Sequence, residues 1–455
     1  VKITIIGGGK VGTTIARQLT AEDHDITLID KNRAVTEQIA SQLDIMTVCG
    51  SGAILEVLQE AGAPDCDLLV ACTNSDELNL VCCIFAKKLG CKNTIARVRT
   101  PEYAQQIYFI KDDLNLSTTI NPELIAAREI FRMLQMPGVL KREPFAEERA
   151  EIVEVVSRRG DKLDGVTLYD LSKKLKLKAL VVAVSRGEEV FIPSGSFTLR
   201  AGDKVYVCAP ATELVKILKT LGDNVKRPKN LAIIGASRTT DYLISMLLKT
   251  GTSIKLIEIE RKKANFFAKK YPEVDVICAD GSSEEILKSE RVDLMDAVVS
   301  LTNMDEENLI LSMYLSEIGV SQVIAKVDHI EYASMFARVG INRIVSPKRL
   351  AANEIIRYVR AMENSDGGSV VTLRRLVDER VEALEFIVTK GAENRGRMLK
   401  DIRFKKGVLL AGINRMGRII IPGGLDFFEA GDTVIIVTTT GNVFLDLNDI
   451  FENED

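Results

Sequence analysis

Two tandem α/β repeats, each a doubly wound parallel sheet followed by a small α+β domain, are what this 455-residue sequence predicts. Three observations carry that expectation. Apolar, β-branched runs alternate with stretches of helical spacing through residues 1–140 and again after residue 226. Landmarks of the first half recur in order in the second, at an offset of about 228 residues. Each of these segments is followed by a shorter strand-rich one, marked by Ile-Pro and Ala-Gly-Asp.

Taken in order, residues 2–6 form an apolar run of strand type, followed at once by Gly7-Gly8-Gly9-Lys10-Val11-Gly12. A helix is expected from Thr13 to Thr20, with Val11, Ile15 and Leu19 on one face. A second strand over 26–30 ends in Asp30, eighteen residues after Gly12. Strand, G-x-G-x-x-G, helix, strand and acid in this order are the dinucleotide fingerprint of a Rossmann-like domain. Gly7 permits the tight turn, Gly9 lets a pyrophosphate approach the backbone, and Gly12 lets helix and strand pack closely. The helix N-terminus offers N–H groups and a positive dipole end. Asp30 is placed to accept hydrogen bonds from an adenosine ribose, which favours NAD or plain adenosine over a 2′-phosphate. Further strands are expected at 45–49, 68–72 and 94–98. A helix over 121–136 carries a stripe of Leu124, Ile125, Ile130, Phe131 and Leu134. That stripe reads either as core or as a dimer face.

Residues 137–150 read as a linker. Within 151–215, strands are expected at 152–156, 180–184 and 204–208, a helix from Tyr169 to Leu175, and a turn at Leu199–Asp203. A connecting helix is expected at 214–221, a junction at 226–229, a flexible linker at 364–368 and a frayed tail from Asn448. The expected domains are therefore 1–140, 141–225, 226–364 and 365–455.

The recurrences are specific. Ile5-Ile6-Gly7 returns as Ile233-Ile234-Gly235, and Leu28-Ile29-Asp30 as Leu256-Ile257-Glu258. Thr73-Asn74-x-Asp76-Glu77-x-Asn79 returns as Thr302-Asn303-x-Asp305-Glu306-x-Asn308. Ala201-Gly202-Asp203 returns as Ala430-Gly431-Asp432, where the acid either shapes a turn or binds a small ligand. The second copy has lost its phosphate loop: side chains at Ser237 and Thr240 would crowd a pyrophosphate.

Composition sets bounds. With 46% apolar and 27% charged residues and a net charge of −4, no long basic stripe offers itself to nucleic acid. No apolar run reaches the length of a membrane span, so a membrane role needs a protein partner. Val1 already belongs to the first strand, so no signal peptide is expected. The eight cysteines show no C-x-x-C spacing and read as reduced, buried thiols. His24, expected in a solvated turn, and His329 are the only histidines, which leaves little material for a zinc site or His-based catalysis.

The glycine loop, Asp30, Gly50-Ser51, the Thr73–Asn79 motif, Arg97 and the duplicated Ile-Pro and Ala-Gly-Asp signatures together resemble the TrkA family. Its members are cytosolic NAD-binding subunits of Trk-type bacterial and archaeal potassium uptake systems, built as two tandem units resembling the regulator-of-potassium-conductance (RCK) fold. The resemblance covers almost the whole chain. It implies that Gly7 to Gly12 cradle the phosphates, with Lys10 reaching a phosphate, and that Asp30, helped by Lys31, holds the ribose. It places Gly50 and Ser51 beside the adenine, although many relatives carry Asp where Ser51 stands. Thr73 and Asn74 would line the ligand edge, Glu77 would sense nucleotide or a neighbouring subunit, and Arg97 would meet a phosphate or carboxylate. A structural ion pair is the competing reading for Glu77 and Arg97.

The family further implies NAD(H), with ATP and ADP at the same site. It implies a homo-oligomeric ring, dimer or tetramer, docked on the cytoplasmic face of a potassium-translocating membrane subunit (TrkH- or TrkG-like). No enzyme activity is expected. An NAD-dependent dehydrogenase is the first alternative, but no His or Tyr-Lys constellation for proton transfer is visible. Regulation of a different cation transporter is the second.

Overall fold

The computed structural model describes residues 1–22, 24–110, 113–135, 142–146, 149–175, 178–210, 212–214, 216, 227–328, 343–365, 370–377, 380–439, 444 and 446–452. They gather into two compact units. One comprises Val1–Leu134 with Pro228–Val359, the other Gln135–Arg227 with Arg360–Asp455.

In the first unit, repeat 1 lays down β1 (Lys2–Ile6), α1 (Lys10–Thr20), β2 (Asp25–Asp30), α2 (Arg33–Gln42), β3 (Met46–Cys49), α3 (Leu55–Glu60) and β4 (Leu68–Ala71). It continues with α4 (Asp76–Leu89), β5 (Asn93–Arg97), α5 (Pro101–Ile110), β6 (Thr118–Ile120) and α6 (Pro122–Gln135). The sheet is parallel, in the order β3-β2-β1-β4-β5-β6. The chain therefore switches direction between β1 and β4, where a doubly wound sheet binds its ligand at the carboxyl ends. Ile3, Ile5, Leu28, Ile29 and Leu68 to Ala71 are buried, as continuous apolar strands covered on both faces should be. The five expected strands of this sheet are present within a residue at each end. The short β6 was not read from the sequence.

α6 starts at Pro122, close to where it was expected. Its packing assigns part of that stripe. Ala126, Ala127, Ile130 and Leu134 are fully buried against Leu231, Ile233, Leu243, Leu247 and Val299 of repeat 2. Of the expected stripe, Ile130 and Leu134 are thus core shared between the repeats of one chain and Phe131 packs against it, while Leu124 and Ile125 stay half-buried.

The small domain of repeat 1 belongs to the second unit. It contributes β7 (Arg142–Phe145), β8 (Ala150–Val156), α7 (Leu168–Leu175), β9 (Leu180–Arg186), β10 (Glu189–Phe191) and β11 (Lys204–Pro210), ordered β10-β9-β11-β8-β7. Part of the expected linker is therefore a strand: Arg142 to Phe145 pair antiparallel with β8. Pro144 is accommodated because β7 lies at the sheet edge. Pro137-Gly138 and most of the expected 214–221 helix fall outside the described residues.

Repeat 2 returns to the first unit with β12 (Asn230–Ile234), α8 (Arg238–Leu247), β13 (Ser253–Glu258), α9 (Arg261–Lys270), β14 (Asp275–Cys278), α10 (Glu284–Ser289) and β15 (Ala297–Ser300). α11 (Asp305–Glu317), β16 (Gln322–Lys326), β17 (Ile344–Val345) and α12 (Pro347–Ser365) complete it. Its sheet, β14-β13-β12-β15-β16-β17, repeats the first order. α12 runs through Asn364 and Ser365, two residues expected in a linker.

The second small domain adds β18 (Val370–Leu376), β19 (Val381–Ile387), β20 (Val408–Arg415), β21 (Arg418–Ile420) and β22 (Thr433–Thr439) to the second unit. The sheets of the two small domains share one core, in which Ile152, Val182 and Cys208 meet Ala383, Ala411 and Ile435. The tail is less frayed than expected, since Leu447, Ile450 and Phe451 are buried and Phe404 bridges to Phe451. His24 is also buried rather than solvated. Among the described residues, no helix is long and apolar enough to cross a membrane.

Candidate functional site

The glycine loop closes the β1–α1 turn at the switch point. Gly7 has φ +104°, a conformation L side chains rarely adopt, and a Cβ there would sit 3.0 Å from Thr73 N. A Cβ on Gly12 would lie 1.9 Å from Gly7 O. Gly9 differs: a Cβ there would meet nothing within 4 Å, so the space in front of it is open. Gly9 is also the residue at the head of α1, and no side chain caps that helix. A turn of α1 donors and an unobstructed backbone therefore face the same space, an arrangement that fits a pyrophosphate.

Asp30 holds the other side of the loop. Its Oδ2 accepts from Gly8 N at 2.7 Å and its Oδ1 from Asn32 N at 2.8 Å. Gly50 N donates to the Asp30 carbonyl at 2.9 Å, which brings the Gly50-Ser51 turn alongside. Each carboxylate oxygen keeps a lone pair for a ribose hydroxyl. Lys10 and Lys31 are exposed, and Val11 is buried under the loop.

The Thr73–Asn79 motif holds strand ends together. Asn79 is fully buried; its Oδ1 accepts from Thr73 N at 2.8 Å and its Nδ2 donates to Arg97 O at 2.9 Å. Asp76 accepts from Arg99 N and Thr100 N, both at 2.9 Å. The same bonds recur in repeat 2, where Asn308 joins Thr302 N to Lys326 O and Asp305 accepts from Asp328 N. Duplication of these bonds in both copies marks them as structural, a role that sequence reading did not separate from ligand binding. Asn74 and Glu77 are exposed, and Glu77 Oε2 accepts from Ser75 Oγ at 2.8 Å. Arg97 faces Glu123 at 3.5 Å. Burial, partly offset by Glu123, holds its guanidinium below its ordinary value.

Repeat 2 closes the equivalent space with its own atoms. Ser237 Oγ accepts from Thr240 N and Thr240 Oγ1 accepts from Ser237 N, a reciprocal capping box at the head of α8. Thr240, which takes the position of Gly12, donates its hydroxyl to Gly235 O at 2.7 Å. Glu258 is buried on Ala236 N and Glu260 N.

Two lysines not singled out in the sequence lie close enough to Lys10 of the repeat 1 loop to feel its charge. Lys326 ends β16, at the position of Arg97, and Lys348 follows Pro347 where repeat 1 has Glu123 after Pro122. Burial lowers both ammonium groups and Asp328 raises both, with Lys10 adding repulsion. Lys348 pairs with Asp328 at 2.9 Å. The signal was present in the repeat alignment as a change of charge, Glu123 against Lys348.

The Ala-Gly-Asp motifs resolve as turns. Arg186 clamps Asp203 through Nε and Nη2, both at 2.8 Å, and Arg200 N donates to the same carboxylate. Arg415 holds Asp432 likewise, at 3.0 and 2.7 Å.

Fold and site together define a class: paired Rossmann-like domains in one chain, one with an open glycine-lined cleft and one self-capped, each followed by a small α+β domain. The family model of the TrkA-N domain matches residues 3–118 and 231–347, and that of the TrkA-C domain matches 152–244 and 383–446. The chain is 31% identical to the Trk system potassium uptake protein TrkA homolog of Archaeoglobus fulgidus, over 96% of both chains. It is 30% identical to the Trk system potassium uptake protein TrkA of Haemophilus influenzae, over 96% of this chain and 95% of that one. Among solved structures, the GsuK channel bound to NAD superposes with a TM-score of 0.64 at 16% identity, covering 96% of this chain and 77% of that one. The chain belongs to the TrkA family.

Proposed function

We propose that this chain is a nucleotide-sensing regulatory subunit of a Trk-type potassium uptake system. On this reading it assembles as a homo-oligomeric ring, dimer or tetramer, on the cytoplasmic face of a potassium-translocating membrane subunit, and catalyses no reaction. The observation that carries the reading is the open space before Gly9 at an uncapped helix head, with Asp30 across it, in a chain whose relatives are named potassium uptake proteins. A GsuK structure named as bound to NAD shares the fold.

The proposed occupant is NAD(H), with ATP and ADP at the same site; it supplies negative charge and a rigid span between ribose and phosphates. Gly7 to Gly12 and the head of α1 would hold the phosphates, Asp30 and Lys31 the ribose, and Gly50 and Ser51 the base side. Thr73, Asn74, Glu77 and Arg97 would bound the ligand edge. Lys10 with Lys326 and Lys348 would draw a phosphate-rich ligand toward repeat 2. Such a ligand shifts a gate only by binding one shape of the ring better than another. Lys326 and Lys348, beside Asp328 and within reach of the charge of Lys10, would gain an anionic partner when the ligand enters.

The test is calorimetric titration with NADH, NAD, ATP and ADP, beside a Gly9→Val, Asp30→Ala double variant. One ligand per chain, lost in the double variant, is expected. Two per chain would contradict the closed loop of repeat 2, and no binding of any of the four would overturn the sensor reading. Lys348→Glu, which restores the residue type of repeat 1, is expected to weaken ATP about tenfold or more, roughly one charge-assisted hydrogen bond, and NAD by less.

A further inference from the structure

We propose that Cys66 and Cys91 form a redox-convertible dithiol, which a two-electron oxidant such as hydrogen peroxide closes to an intrachain disulfide and a dithiol reductant reopens. The two lie 25 residues apart with no C-x-x-C motif, so spacing alone does not pair them. The sheet does. β4 and β5 run parallel with Leu68 opposite Asn93. Cys66 and Cys91 each stand two residues before those partners, at the entries of adjacent strands. Lys92 N donates to Cys66 O at 3.1 Å, so the backbones remain side by side there. Neighbouring strands lie about 4.8 Å apart, within the roughly 4.4–6.8 Å Cα separation that a disulfide spans.

The sulfurs have already met. Cys66 Sγ donates to Cys91 Sγ at 2.8 Å, while a disulfide bond is about 2.05 Å long. Both residues are 2% exposed and sit in the repeat 1 core with Leu69, Cys83 and Ala86. The entries are held in place by Gly90, the left-handed cap of α4, whose Cβ position lies 3.0 Å from Pro64 O. The bond from Cys66 raises that thiol and lowers the Cys91 thiol, whose own S–H donates to Asn93 O at 3.0 Å. Elsewhere burial pushes Cys72, Cys82 and Cys208 up to about 12, which leaves them as poor nucleophiles.

The chemistry balances. Cys91 gives up its proton and its thiolate attacks one peroxide oxygen; the O–O bond breaks, the departing hydroxide takes up a proton as water, and Cys91 becomes a sulfenic acid. The Cys66 sulfur then attacks the Cys91 sulfur; the S–S bond forms, the S–O bond breaks, and the hydroxyl leaves with the Cys66 proton as water. Two electrons pass from the thiol pair to peroxide. Because both sulfurs are buried, entry of the small oxidant sets the rate.

The test uses the full chain with the exposed Cys49 and Cys278 replaced by serine, folded, under hydrogen peroxide or diamide. Remaining thiols are alkylated in denaturant and the digest is mapped by mass spectrometry. The expected result is loss of two of the six remaining thiols and a linked peptide joining residues 66 and 91, two hydrogens lighter and reversed by dithiothreitol. Cys72, Cys82, Cys83 and Cys208 should stay alkylated. The proposal is overturned if all six thiols survive an oxidant that modifies Cys49 in the unsubstituted protein. A link that forms only in denaturant, or that joins Cys66 to a different cysteine, overturns it equally. Cys66→Ser should abolish the link, and the mapping of the unsubstituted pair stands whether or not that variant folds.

Discussion

Gly9 and Gly12 stand three residues apart, and a methyl group would offend at the two positions for different reasons. At Gly12 it would sit 1.9 Å from Gly7 O, so Gly12→Ala should cost about 3 kcal/mol of stability from overpacking. At Gly9 it would meet no protein atom within 4 Å, and φ −69° there suits any residue. Gly9→Ala should therefore melt within a few degrees of the native chain yet lose nucleotide affinity, because the methyl group occupies phosphate space. Parallel thermal melts and titrations check both, and a Gly9→Ala chain that binds NADH unimpaired would contradict the placement of the phosphates. Both glycines were legible in the sequence as a motif. Their division, Gly9 for the ligand and Gly12 for packing, was legible there too; the structure adds which atoms surround each absent Cβ.

At the scale of elements, the helix heads and strand turns separate what the repeats share from what they do not. α1 lacks a side-chain cap, while α8 is closed by Ser237 and Thr240. The crowding anticipated at those two positions takes the form of bonds to each other and to Gly235. In the small domain, Arg186 and Asp203 join β9 to the turn before β11. Burial works against the charged form of Asp203, but Arg186 and Arg200 N outweigh it and hold the carboxyl below its ordinary value. A depressed carboxyl stabilises fully above its unfolded pKa, about 3.9, and that contribution fades as pH falls through the folded value. Melts of the native chain should thus drop below about pH 5 more steeply than melts of Asp203→Asn, which lacks the titrating group. The variant should already be weaker at pH 7, by about 3 kcal/mol, through the unpaired guanidinium. Equal slopes would show that the pair carries no such linkage.

For the whole molecule, α6 is the informative element. Its sequence lies in repeat 1, while Ala126, Ala127, Ile130 and Leu134 complete the core of repeat 2. Tyr242 of repeat 2 in turn donates to Arg99 O at 3.1 Å and accepts from Asn121 Nδ2 at 2.9 Å. Leu134→Ala should cost about 3 kcal/mol. Its signature in hydrogen exchange should be faster exchange of β12 (Asn230–Ile234) and β15 (Ala297–Ser300), far along the chain in the other repeat. Exchange confined to repeat 1 would contradict the shared core. This coupling also gives the proposed sensor a lever, since a ligand held by Gly7 to Gly12 and by Lys326 acts on two bodies at once.

The sequence by itself determined the duplication, the alternation of strands and helices in the Rossmann-like part of each repeat, the glycine loop with Asp30, and the loss of that loop in the second copy. These are local or periodic properties: a β-branched run, a glycine spacing and an acid at a strand end act through neighbours in the chain. Only the tertiary structure decided that Ile130 and Leu134 of α6 pack into the other repeat, that Asn79 and Asp76 tie strand ends, and that Lys326 and Lys348 lie within reach of the charge of Lys10. It alone set Cys66 beside Cys91. Each of these is a meeting of residues distant in the chain, and a side chain's role there follows from the partner that packing brings to it.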